Sequence, residues 1–220
     1  MGTEKIPSLM IRMAIPSVIA QVINILYNIV DRIYIGHISG VGAAALTGVG
    51  LTFPIITLIS AFSAFVGSGG APLASIWMGK NDKKHAEKIL GTGVFMLLCF
   101  SLILMAVFLI FQRPLLYAFG ASDATIGYAM EYLTIYLIGT VFVEIALGLN
   151  PFIIAQGRST TAMMSIVIGA VINIVLDPIF IFVFHMGVKG AAIATVISQA
   201  VSAAWNVKAL VDKKAVLKIV

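Results

Sequence analysis

The sequence predicts an all-α membrane protein, a bundle of six transmembrane helices with both termini cytoplasmic, and three observations carry that prediction. The first is composition: of 220 residues, 60% are hydrophobic and only 10% charged, with a mean hydropathy of +1.08. A soluble domain carries roughly 25% charged residues, so too little polar surface exists for a globule in water. The second is a series of uncharged runs long enough to span lipid, since about 20 apolar residues cross roughly 30 Å of hydrocarbon. The third is the placement of Lys and Arg, which collect in cytoplasmic loops. A soluble enzyme, a nucleic-acid partner and a disordered chain are excluded on these grounds despite a pI near 9.4. Cys99 stands alone, which excludes a disulfide framework and a Cys-based metal site.

The first helix is predicted near 10–36, because 18 uncharged residues separate Arg12 from Asp31 and apolar residues follow. The run 33–79 has 47 uncharged residues, enough for two spans, but its start, GHISGVGAAALTGVG, holds five glycines in fifteen and reads as a turn. One helix near 47–79 is therefore predicted. KNDKKHAEK reads as a solvated connection to a third helix near 89–111. A fourth, near 126–155, is interrupted only by Glu144, a fifth runs near 160–185 past Asp177, and a sixth covers 190–210.

Six spans place Lys5, Arg12, Lys80, Lys83, Lys84, Lys88, Arg158, Lys208, Lys213, Lys214 and Lys218 on one side, against Arg113 and Lys189 on the other. A seventh span would change that split from 11:2 to 9:4. Trp77 and Trp205 then both fall at cytoplasmic helix ends, where interfacial aromatics belong. The N-terminus lacks the small-residue cleavage pattern of a signal peptide. No linker divides the chain: 1–211 reads as one lobe, and 212–220 as the start of a cytoplasmic linker toward more protein.

Polar residues inside the spans are costly and usually face a bundle interior. Gln21, Asn24, Asn28 and Asp31 follow steps of three, four and three along one face of helix one. Ser165, Gly169, Asn173 and Asp177 form such a stripe on helix five, and Thr195, Gln199, Ser202 and Asn206 on helix six. At 1.5 Å per residue, Asp31 lies about 9 Å inside His37, Thr195 about 9 Å inside Lys189 and Asp177 about 12 Å inside His185. Similar depth on three striped helices predicts one site in the outer half of the bundle. Two carboxylates with neutral oxygens from Asn173 and Thr195 suit a hard monovalent cation or a shared proton.

Blander readings stand beside this one. Asp31 with Arg32 could be an interfacial pair, and Asn173 and Thr195 could be interhelical hydrogen bonds. Glu144 reads either as a second protonatable group or as a partner for Arg32, with Tyr136 and Thr140 at helical spacing. Glu131, His37 and His185 belong at outer ends, and His85 is a loop residue with no partner in view. Pro16, Pro54, Pro72 and Pro151 fall within helices, where each removes a hydrogen bond and favours a kink.

The stretches NIVLDPIFIFVFHMGVKGAAIATVISQ (173–199), VINILYNIVDRIYIGHIS (22–39) and NPFIIAQGRS (150–159) together resemble the N-terminal half of a multidrug and toxic compound extrusion (MATE) transporter of the prokaryotic kind. The resemblance implies a lobe of a two-lobed, twelve-helix transporter in the inner (plasma) membrane, exchanging Na+ or H+ for cationic amphiphilic compounds, with no other cofactor. By resemblance, the family's cation or proton site falls on Asp31, Asn173, Asp177 and Thr195 and its hinge proline on Pro16, while the polar stripe Gln21, Asn24, Asn28 and Gln199, selected by helical spacing, is the expected lining of the substrate cavity. The expected partners are the lipid bilayer, the substrates and a missing C-terminal lobe or second half. An alternative is a lipid-linked saccharide flippase of the same wider superfamily, which would want a strongly cationic cavity. A membrane-embedded enzyme is disfavoured, since no nucleophile motif or metal-binding spacing occurs within the spans.

Overall fold

The computed structural model describes residues 6–212 and 215–218, except for the side chains of 6–9 and 13. Lys5, Lys213 and Lys214 of the predicted basic side lie outside the described residues. The elements in order are α1 (Ile6–Gly36), α2 (Gly42–Leu51), α3 (Phe53–Gly79), α4 (Lys83–Ala118), α5 (Ile126–Ile138), α6 (Thr140–Ala155), α7 (Ser159–Pro178), a π-helical turn (Ile179–Val183) and α8 (Val188–Val211). No strand occurs among the described residues. Five stretches are long and apolar enough to cross a membrane, and the bent pair of α5 and α6 makes a sixth.

Four local expectations are corrected. The glycine-rich stretch after His37 is a turn only as far as Val41, beyond which α2 is helical and runs almost directly into α3. Its alanines favour the helix, and its glycines serve close packing. A Cβ on Gly48 would stand 2.8 Å from the Thr125 carbonyl oxygen, so only glycine lets α2 lie this near the start of α5. The connection after α3 shrinks to 80–82, because Asp82 caps α4 by accepting from the His85 N–H at 3.1 Å. Pro54 sits not inside a helix but in the first turn of α3, where no N–H is needed, just after the break at Thr52 that separates α2 from α3. The predicted fourth helix is broken at Gly139, where α5 and α6 meet at 61°; a Cβ there would lie 2.5 Å from a methyl of Val196 on α8.

The core forms at two levels. Ile35, Ile55, Ile59, Leu116, Leu133 and Leu137 fill the level near the α1–α2 turn. Leu90, Leu97, Leu149, Phe152 and Leu210 fill the level near the 80–82 turn, where Gly70 and Gly93 border the Phe152 ring. Helix α3 rests on α4 and α6, α8 on α6 and α7, and α1 chiefly on α7. Among the described side chains of α1, only Ala20, Asp31 and Ile35 are buried. Leu26 and Ile33 are exposed on its outer face, which lipid tolerates and water does not, whereas Ile25 and Ile29 are exposed toward a cavity.

Candidate functional site: a buried carboxylate pair beside a polar cavity

The site is assembled by the contact of α1 with α7 and of α7 with α8. Small side chains make the second contact possible: Gly169 leaves room for Ser202, whose hydroxyl donates to the Ser165 carbonyl at 2.9 Å. Ser165 also receives the Asn150 side-chain amide at 3.0 Å, which ties α6 to α7. Beyond Asp177, Pro178 ends the regular helix and the π-helical turn brings Phe182 edge-on to Tyr34 of α1, 6.2 Å between ring centres. Helix α1 is thereby held with Asp31 facing α7.

The four residues singled out for cation or proton binding come together. The carboxyls of Asp31 and Asp177 lie against one another across the α1–α7 contact. The Asn173 amide donates to Asp177 Oδ1 at 3.2 Å and to the Thr195 hydroxyl oxygen at 3.4 Å. Asp31 is 8% exposed, Thr195 8%, Asn173 1% and Asp177 0%. Asp31 Oδ1, Asn173 Oδ1 and Asp177 Oδ2 are buried with no hydrogen-bond partner among the described residues. Unpaired acceptors in a dry interior are expensive. Together with the Thr195 hydroxyl they form an all-oxygen donor set, which suits a hard cation or a proton. No group of three or more His, Cys, Asp or Glu able to hold a metal occurs among the described residues.

Two connected cavities adjoin this centre. One of about 270 Å³ is lined by Asp31 and Thr195 together with Tyr132. It shares Tyr27, Asn28, Arg32, Phe53, Tyr136 and Gln199 with a second of about 580 Å³, which Asn24, Asn150, Ser165 and Ser202 also line. Asn24, Asn28 and Gln199 thus border the cavities. Gln21, lower on α1, is exposed and borders neither. Asn206 is fully buried and donates to the Ala146 carbonyl at 2.7 Å, holding α8 to α6.

Glu144 does not pair with Arg32. It is fully buried beside Ser63 of α3, both its carboxyl oxygens lack a hydrogen-bond partner, and Arg32 instead lies over the ring of Phe53. His85 does have partners: its ring meets the Asp82 carboxylate at 2.6 Å and stacks on Trp77 at 4.6 Å. Glu131 pairs with Lys189 at 3.5 Å. Tyr27 and Tyr132 escaped the sequence reading. Tyr27 stands one helical turn before Asp31 on the same stripe and was there to be found, whereas a single sequence carries no signal for Tyr132.

The family model MatE matches residues 16–179, three-quarters of the chain and every element of this centre except α8. The chain belongs to the MatE family. It is 30% identical over 193 residues to the multidrug export protein MepA of Staphylococcus haemolyticus (strain JCSC1435), covering 88% of this chain and 42% of that protein. Crystal structures of MATE in the bent and in the straight conformation superpose with TM-scores of 0.89 and 0.88, each at 30% identity and each covering 96% of this chain and 47% of the other. The chain spans less than half the length of these relatives and corresponds to the N-terminal lobe of a MATE transporter. Members of the family are integral membrane transporters, so this is a multi-pass membrane protein of a transporter family.

Proposed function

We propose that this chain is the N-terminal half of a cation-coupled multidrug efflux antiporter that exports cationic amphiphilic compounds, with both termini cytoplasmic. The observation that carries the reading is the buried Asp31–Asp177 pair, whose oxygen donor set is completed by Asn173 and Thr195 and which borders the smaller cavity through Asp31 and Thr195. Two facing carboxylates repel each other at short range in a low dielectric. A sodium ion or a proton between them removes that repulsion and draws α1 onto α7. Its departure loosens α1, the least buried helix, and reshapes the wall that Tyr27, Asn28 and Arg32 give to both cavities.

Pro16 lies inside α1 and supplies no N–H to the preceding turn, so it is the natural place for that helix to bend. Coupling follows when the exported compound and the cation stabilise different positions of α1. Glu144, buried beside Ser63 of α3, serves as a second protonatable group.

The test is the full chain in liposomes, read first by equilibrium binding of radioactive sodium and of protons, and then by dye efflux under an imposed sodium or pH gradient. Asp177→Asn and Asp31→Asn are expected to abolish cation binding and to reduce gradient-driven efflux to that of empty vesicles. Unchanged cation binding in Asp177→Asn overturns the assignment.

A further inference from the structure

Among the described residues, only one charged side chain lines the larger cavity, and it is positive. Arg32 borders that space without any carboxylate, and in the smaller cavity its single charged companion is Asp31. Two ordinary roles for this arginine do not match its surroundings. As the counter-ion of Asp31 it would stand within 4 Å of that carboxyl, yet the ion pairs found among the described residues do not include it, and its charge acts on Asp31 only from a longer distance. Successive helical residues diverge by about 100°, so Asp31 turns toward α7 while Arg32 stays exposed. As an interfacial anchor it would reach past the end of α1 toward water. Its guanidinium carbon instead lies 5.4 Å from the centre of the Phe53 ring on α3, and Phe53 lines both cavities.

We propose that Arg32 is the anion-recognising residue of this cavity, and that the amphiphiles bound best by this lobe carry a carboxylate beside their aromatic body. The inference rests on the cavity being the substrate path and refines the substrate class named for it. A guanidinium offers paired donors that match a carboxylate and is weakly hydrated, so it remains effective in a confined apolar space. Phe53, Tyr27 and Tyr136 also line this cavity, and aromatic side chains suit both an aromatic body and a cationic group. A purely cationic compound meets like charge at Arg32 and no acid in the larger cavity. A zwitterion satisfies both ends.

Rhodamine B and its ethyl ester share one cationic xanthene body and differ in a carboxylate. Fluorescence anisotropy of each dye with the full chain in nanodiscs is expected to show the acid bound about tenfold more tightly than the ester. Arg32→Gln is expected to erase that preference and Arg32→Lys to keep part of it, because a point charge lacks the paired geometry. Benzoate added to the unaltered chain is expected to displace the acid and leave the ester bound, which covers the case of an Arg32 variant that does not fold. Equal binding of acid and ester, or equal weakening of both by Arg32→Gln, overturns the proposal while leaving the efflux reading intact. Failure of both dyes to bind removes the cavity as a substrate path and both readings with it.

Discussion

Glu144 shows what burial alone demands of one residue. Its side chain is fully enclosed, and Ser63, its polar neighbour on α3, also lacks a hydrogen-bond partner among the described residues. Ionised carboxylates are expensive in such surroundings, so the charge itself adds nothing to stability here. Glu144→Gln, uncharged and of the same shape, is expected to melt within about 1 kcal/mol of the unaltered chain or above it, measured by thermal unfolding in detergent. A clear loss of stability would show that the ionised carboxylate is needed. Asp177 belongs to the other kind: Asn173 donates to it, Asp31 faces it, and its replacement by Asn should remove cation binding, not folding.

Among the elements, the start of α4 depends on a carboxylate outside the membrane-spanning part. The backbone N–H and ring of His85 hold the Asp82 carboxyl below the usual carboxylate range. A group lowered in the folded state stabilises above its unfolded value and loses that effect as pH falls through its folded value. Asp82→Ala should therefore melt lower than the unaltered chain at neutral pH, and the gap should close on acidification below about pH 4. A gap that persists in acid would assign the effect to the side chain's packing against His85. The breaks in the helices have a different origin. Gly139 separates α5 from α6 because Val196 of α8 occupies the space a side chain would need, and the 61° bend turns Glu144 toward α3. Neither cause is local, so the apolar run 126–155 reads as one helix.

For the whole molecule, one end is bound by contacts that no helix makes alone. Arg158 donates to the Ala209 carbonyl at 2.7 Å, which joins the α6–α7 turn to α8. Past α8 the chain turns back: Gln156 Oε1 accepts from the N–H groups of Val216 and Leu217 at 3.0 and 3.2 Å, and the Lys218 N–H reaches Glu87 of α4 at 3.4 Å. Leu217 is fully buried against the level of the core that holds Leu90 and Leu210. Gln156→Ala is expected to release 215–218, seen as faster hydrogen exchange or proteolysis of that segment with little change in the melting of the bundle. Unchanged protection would mean that burial of Leu217 alone holds it.

The six membrane-crossing stretches and the stripes that hold Asp31, Asn173, Asp177 and Thr195 were legible in the sequence, because span length and helical period are written along the chain. Periodicity also selected Asn24, Asn28 and Gln199 for the cavity, but it could not separate them from Gln21 or Asn206, which share the same stripes. Which of those a neighbour covers depends on where each helix leaves its partner, and that distance is not encoded in spacing. The helical character of α2, the bend at Gly139, the burial of Glu144 beside Ser63 and the placing of Arg32 over Phe53 were decided by tertiary contact. Each depends on residues far apart in sequence meeting within a few ångströms, and a local pattern fixes which side of a helix is polar without fixing what that side will touch.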